Sequence, residues 1–413
     1  MAPGRGPRIR ARGRSPGPRL SFVAAALLSA AAVAGCGSSG PAGGPVVGLQ
    51  GGQSAAAQRL GFPDFATKNT TRVGGADPVA DAAAVARAVF PATSALDRPS
   101  ALTLVETRDW RVALAASVLM SPPLHAPLLF SQGGQLPAAS ADALHVLAPS
   151  GAQAAGGAQV IRVGGAPAVG GLREASIPGR DPLALTGAID SFSARVHGAA
   201  SDRVVVVSAD DPGYAMPSAG YAAKSGDPIL FVHRDSVPAQ TTAALATHQQ
   251  PTIYVVGPGD VISESVVNEL RKQGTVKRVR GTGAIDNAIA FARYSDGPFG
   301  WGVVDPGHGL VFASSTRPLD AAAAAPLSAT GSYGPLLLVQ SPAALPPALD
   351  QYLLDIQPGY NRNPVRGVYN HGWLIGDEHA MSLATQGRID TDLEIVPVAG
   401  RTPAPTSAPP SSP

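Results

Sequence analysis

The sequence predicts an α/β fold built from three tandem modules, each with a short parallel sheet. A proline-led apolar strand recurs as Ala126-Pro127-Leu128-Leu129-Phe130, Asp227-Pro228-Ile229-Leu230-Phe231 and Gly334-Pro335-Leu336-Leu337-Leu338. Each copy is followed by a second marker, Leu136-Pro137, Val237-Pro238 and Leu345-Pro346, and the two prolines are 10, 10 and 11 residues apart. Apolar runs also alternate with alanine-rich stretches through the whole middle of the chain. Self-similarity at a period of roughly one hundred residues means one structural unit used three times.

Each unit opens on a β-branched run: Leu102-Thr103-Leu104-Val105-Glu106, Val204-Val205-Val206-Val207-Ser208 and Gly302-Val303-Val304-Asp305. An alanine-rich stretch follows at 112–120, 214–224 and 320–330 and predicts a helix. The proline-led strand comes next, and the second-marker proline suits the first position of another helix, where no backbone donor is missed. A third strand ends in glycine: Val160-Ile161-Arg162-Val163-Gly164, Ile253-Tyr254-Val255-Val256-Gly257 and Gly372-Trp373-Leu374-Ile375-Gly376. That glycine lets the backbone turn tightly into a last helix. The strands are short and continuously apolar, as expected when helices cover both faces of a parallel sheet.

The N-terminus reads as a leader. Arg5, Arg8, Arg10, Arg12, Arg14 and Arg19 precede an uncharged apolar stretch at 20–35, short for a membrane span and of signal-peptide size. It ends Val33-Ala34-Gly35-Cys36, which resembles a bacterial lipobox, so Cys36 is the expected lipidation site. Ala32-Val33-Ala34 also fits an ordinary secretory cleavage site. Cys36 is the sole cysteine among 413 residues, which excludes a disulfide framework and a cysteine metal site. Residues 37–62 read as a flexible linker and 399–413 as a disordered Pro/Ser/Thr tail. The expected domains are thus a signal peptide at 1–36, the linker, modules at 63–178, 179–278 and 279–398, and the tail. The leader's six arginines exceed the chain's net charge of +2 and leave −4 on the remainder, which argues against nucleic acid as a partner. The densest local basic group is Arg271, Lys272, Lys277, Arg278 and Arg280, whose alternative reading is a solvated helix end.

Together the markers resemble the cell-wall-binding repeat 2 family of Gram-positive surface proteins over about residues 72–398. The glycine-led starts are Arg72-Val73-Gly74-Gly75, Pro178-Gly179-Arg180-Asp181 and Arg278-Val279-Arg280-Gly281. The late strand Val255-Val256-Gly257-Pro258-Gly259 and the helix start Val261-Ile262-Ser263-Glu264-Ser265-Val266 are similar to the family's. The resemblance implies three Rossmann-like modules in a pseudo-threefold arrangement and noncovalent attachment to an anionic wall polymer. It implies polymer contacts at Pro127, Leu128, Leu129, Pro228, Ile229, Leu230, Pro335, Leu336 and Leu337. The family's aspartate before the alanine-rich helix is kept only at Asp320; the first module has Val112-Ala113-Leu114 there and the second Tyr214-Ala215-Met216. The bland reading of the proline-led segments is sheet core.

One string suggests an enzyme. Val303-Val304-Asp305-Pro306-Gly307-His308-Gly309 resembles a metal-ligand segment of zinc-dependent N-acetylmuramoyl-alanine amidases, but a catalytic zinc needs three protein ligands. Glutamate is absent between His308 and Glu378, and His371 and His379 come late. Asp211-Pro212-Gly213 is read as the same element in the second module, so the string reads as a strand-to-turn segment. Glu106, Asp210, Asp211 and Asp305 follow strands, where α/β folds place ligand-facing groups. Trp110, Trp301 and Trp373 suit sugar stacking or ordinary packing. The expected protein is a lipid-anchored, extracytoplasmic wall binder in contact with membrane and polymer, with no cofactor and three weak sites acting by avidity. A transporter's substrate-binding lipoprotein and the zinc amidase are the alternatives, and a protein partner at the cell surface is left open.

Overall fold

The computed structural model describes residues 64–330 and 334–398. Cys36, the leader, the linker up to residue 62 and the tail from 399 lie outside the described residues.

Three parallel sheets share one strand order. In the first, Leu128–Ser131, Leu102–Glu106, Val160–Val163 and Glu174–Ile177 lie side by side. In the second, Ile229–Val232, Arg203–Ser208, Thr252–Val256 and Thr275–Val279 repeat the order. The third has Leu336–Val339, Gly309–Ser314 and His371–Ile375, and takes its fourth strand, Thr70–Val73, from the other end of the chain. Asp64–Ala66 then adds an antiparallel edge. Residues 64–73, read from sequence as the start of the first module, are therefore part of the third sheet.

The proline-led strand is an edge strand in all three sheets, and this explains the proline. Pro127, Pro228 and Pro335 have no N–H to give, and their carbonyls accept from Thr103, Val205 and Val311 of the central strand at 3.0, 2.9 and 3.1 Å. The central strands are buried apart from Glu106 at the end of the first and Arg203 at the start of the second, both half-buried.

Helices lock the modules together in the same way three times. Pro78–Val89 leaves the third sheet and packs on the first sheet's Leu128–Ser131 strand. Pro182–His197 leaves the first sheet and packs on Ile229–Val232 of the second. Ala284–Arg293 leaves the second and packs on Leu336–Val339 of the third. The alanine-rich helices Trp110–Ala116, Pro217–Ser225 and Pro318–Ala329 pack against one another between the sheets. Small residues permit that approach: a Cβ on Gly220 would lie 2.5 Å from the Ser328 hydroxyl.

One strand differs from the sequence reading. Residues 302–305 form a loop, and the third module's central strand is Gly309–Ser314. Gly302 sits at φ 63°, and Val303 turns into the core, where its carbonyl accepts the Tyr352 hydroxyl at 3.0 Å. Asp305-Pro306-Gly307 therefore precedes a strand, whereas Asp211-Pro212-Gly213 follows one.

Candidate functional site

A parallel sheet with this order has a switch point beyond the carboxyl ends of its two central strands, where connections leave in opposite directions and ligands collect. In the first module that point holds a cavity of about 830 Å³. Its floor is Glu106, the last residue of Leu102–Glu106. One wall is the Gly133-Gly134 turn after the proline-led strand, both glycines with positive φ, 59° and 72°, as a tight two-residue turn requires. The other wall is Gly164-Gly165 with Gly179 and Arg180, and the back is the apolar pair Val112 and Leu185.

Glu106 is half-buried and loosely held. It accepts from the Ser131 hydroxyl at 3.3 Å and the Gly134 N–H at 3.4 Å, both at the long end for hydrogen bonds. Asp109 is committed to structure: it caps the following helix through the Arg111 N–H at 2.9 Å and pairs with the Arg111 guanidinium at 3.0 Å. Arg111 in turn reaches the Ala209 carbonyl of the second module at 2.9 Å. Arg108 and Arg180 are exposed at the rim.

Aligning strand ends identifies the counterparts. Ser208 and Ser314 stand where Glu106 stands. In the second module Ser208 accepts from the N–H groups of Asp210 and Asp211 at 3.1 and 3.0 Å. The Asp210 carboxylate is taken by the His233 ring at 2.7 Å and the Arg234 N–H at 3.1 Å. Tyr214 is buried where the first module has Val112.

In the third module Asp320 stands where Val112 and Tyr214 do, and Arg317 where Asp109 and Asp211 do. The Arg317 guanidinium contacts Asp81 at 2.7 Å and Asp320 at 2.6 Å, with Asp377 at 3.9 Å. Asp81 and Asp320 are fully buried, and Asp81 also accepts from the Gly75 N–H at 2.6 Å. Burial, followed by the charge of Asp320, pushes Asp81 up to about 9. Burial raises Asp320 to about 6 against the opposing pull of Arg317. Gly74 is required for this approach, since a Cβ there would sit 2.4 Å from the Asp81 carboxylate.

The polymer contacts implied by the resemblance need correction. Pro127, Leu128, Leu129, Pro228, Ile229, Leu230, Pro335, Leu336 and Leu337 are all buried, as sheet strands covered by helices, so a polymer cannot reach their side chains. Asp320 is equally inaccessible and serves the ion network. Asp211 caps a helix through the Gly213 N–H at 3.0 Å, and Asp305 is exposed 3.3 Å from the His308 ring. Among the described residues no group of three or more His, Cys, Asp or Glu is placed to hold a metal ion. The ring of His371 faces Thr71 and that of His379 faces Asp377.

The basic group is largely neutralised: Lys272 pairs with Glu269, Lys277 with Asp296 and Arg278 with Glu264, while Arg280 is exposed. The tryptophans are half-buried in packing, Trp110 edge-on to Phe231 at 5.7 Å, Trp301 to Tyr221 at 5.8 Å and Trp373 to His371 at 4.8 Å. Sequence reasoning singled out Glu106 but missed Arg108, Arg180, Asp81 and Arg317. Registering the three strand ends against each other would have set Glu106 apart from Ser208 and Ser314.

No family model matches the chain, and no curated protein matches it. Solved structures share its fold, among them two from Clostridium difficile. Cwp6 from Clostridium difficile superposes with a TM-score of 0.62 at 19% identity, covering 79% of this chain and 48% of that one. Cwp8 from Clostridium difficile gives 0.58 at 18% identity, covering 79% and 52%. This chain spans about half the length of each solved chain it matches.

Proposed function

We propose that this chain is a cell-wall-associated surface protein of the cell-wall-binding repeat 2 type, which holds an anionic wall polymer noncovalently. The observation that carries the reading is a fold shared with the cell wall proteins Cwp6 and Cwp8, bearing three like-ordered sheets whose carboxyl ends face loops. In this reading the modules stand around a pseudo-threefold axis and present loop-lined clefts, rather than the proline-led strands, to the polymer. Lipidation at Cys36, which the lipobox-like Val33-Ala34-Gly35-Cys36 suggests, would fix the other end in the membrane. A substrate-binding lipoprotein would need two lobes hinged about one ligand. The helices exchanged among three sheets favour a rigid surface instead.

The test is co-sedimentation of the full chain with Gram-positive wall sacculi, intact and after acid removal of their secondary polymers. Binding to intact sacculi alone supports the reading; equal binding to both, or to neither, refutes it.

A further inference from the structure

We propose that ligand binding is concentrated in one cleft, that of the first module, and that this cleft takes a hydroxyl-bearing sugar unit that also carries an anionic group. The inference rests on the wall-polymer reading and replaces three equivalent weak sites with one.

The three clefts share a scaffold and differ in what fills them. In the second, the exposed Asp210 is already held by the His233 ring and the Arg234 N–H, and the buried Tyr214 stands where the first module has Val112. The third is plugged by Arg317, held between Asp81 and Asp320. In the first, Val112 and Leu185 replace Asp320 and Asp81, so a plugging cation has no partner there and the cavity of about 830 Å³ stays open.

The chemistry of that cavity selects the ligand class. Glu106 ends the central strand at its floor, and its two long contacts leave acceptor capacity for a ligand hydroxyl, which a carboxylate binds strongly. A carboxylate at the floor repels an anion placed against it, so the anionic group of the ligand belongs at the rim. Arg108 and Arg180 stand there, on loops from opposite sides of the switch point, and among the described residues neither makes an ion pair. Val112, Pro182 and Leu185 supply the apolar wall on which the C–H face of a sugar ring rests. An acceptor at depth, cations at the mouth and an apolar back suit an acidic sugar better than a simple anion or a neutral apolar molecule.

The experiment is calorimetric titration of the full chain with wall polysaccharide fragments released by acid, and with the same fragments after chemical neutralisation of their anionic groups. The expected result is one site per chain. Glu106→Gln should weaken binding about tenfold or more, consistent with loss of a charge-assisted hydrogen bond. The double variant Arg108→Ala/Arg180→Ala should abolish the preference for anionic over neutralised fragments. Arg234→Ala and Thr316→Ala, exposed in the other two clefts, should bind as the parent does, and thermal melts should show all variants folded. Three sites per chain, or full affinity in folded Glu106→Gln, would overturn this inference while leaving the wall-polymer reading intact. Failure of the fragments to bind, together with failure of intact sacculi to retain the chain, would remove both.

Discussion

The first and third modules are built on one strand order and one edge proline, yet their clefts have opposite fates. The first sheet is made from consecutive strands of a single stretch of chain, and its fourth strand is tied to the third by a short loop. The third sheet borrows its fourth strand from residues 70–73, so that joint is noncovalent, a parallel backbone ladder reinforced by side chains. The Arg72 guanidinium is buried and donates to Gln386 and to the carbonyls of Gly376, Asp377 and Met381 at 2.7–3.1 Å. Asn69 and Asp390 add a second set through the Asn69 N–H at 2.7 Å. Arg317 with Asp81 completes the joint, across a sequence separation of 236 residues. In the first module the backbone closes the sheet and the cleft is open; in the third, side chains that reinforce a noncovalent joint also fill the cleft.

The comparison breaks most severely at Arg317. Arg317→Ala leaves Asp81 and Asp320 facing each other without a cation, and removing one member of a buried ion pair costs about 3–5 kcal/mol. Denaturant unfolding should show a loss of that order near pH 8 and a smaller one near pH 5, where the carboxyls are protonated. A loss independent of pH would show that Arg317 acts by packing alone.

A second effect is the pH dependence of the joint itself. In the unfolded chain Asp81 gives up its proton near 3.8, whereas in the folded chain burial holds it to about 9. Between those values the folded state binds the extra proton, so the contribution is full below about pH 4 and is lost as pH rises through about 9. Asp320 adds a change of the same sign between 3.8 and about 6. Asp81→Asn keeps the shape without the titration. Its stability should therefore fall less than the parent's from pH 5 to pH 9, as read by thermal melts; an unchanged slope would exclude Asp81 as the source.

The smallest expected change in stability is at the open cleft. Glu106→Gln should alter unfolding free energy by no more than about 0.5 kcal/mol, because it touches only two weak contacts at a half-buried position. A loss as large as that of Arg317→Ala would mean that Glu106 is structural after all.

The contrast between joints also explains what the sequence could reveal. The edge strands were legible because proline marks a position that lacks a ladder donor, and three copies share that need. The central strand of the third module was misplaced on Val303 and Val304, a β-branched pair that the Gly302 turn diverts into the core and surface of a loop. Spacing held the better clue: 309 precedes Pro335 by about the same number of residues as 102 precedes Pro127, whereas 302 does not. The strand borrowed from the N-terminus was illegible because its pairing is nonlocal, and no local pattern distinguishes Thr70–Val73 from a first-module strand. The proline-led segments looked like contact sites only through their resemblance; their uniformly apolar character already pointed to core. Asp320 was visible as the one charged residue in an alanine-rich helix with Arg317 three residues before it, but Asp81, which shares that arginine, comes from a distant part of the chain.

The most direct test of one open and one plugged cleft is hydrogen–deuterium exchange of the full chain with and without acid-released wall polysaccharide. The account predicts ligand-dependent protection at 106–112, 131–135, 163–166 and 178–185, with none at 74–81, 314–320 or 376–381. Equal protection at all three clefts, or protection confined to the third, would contradict it.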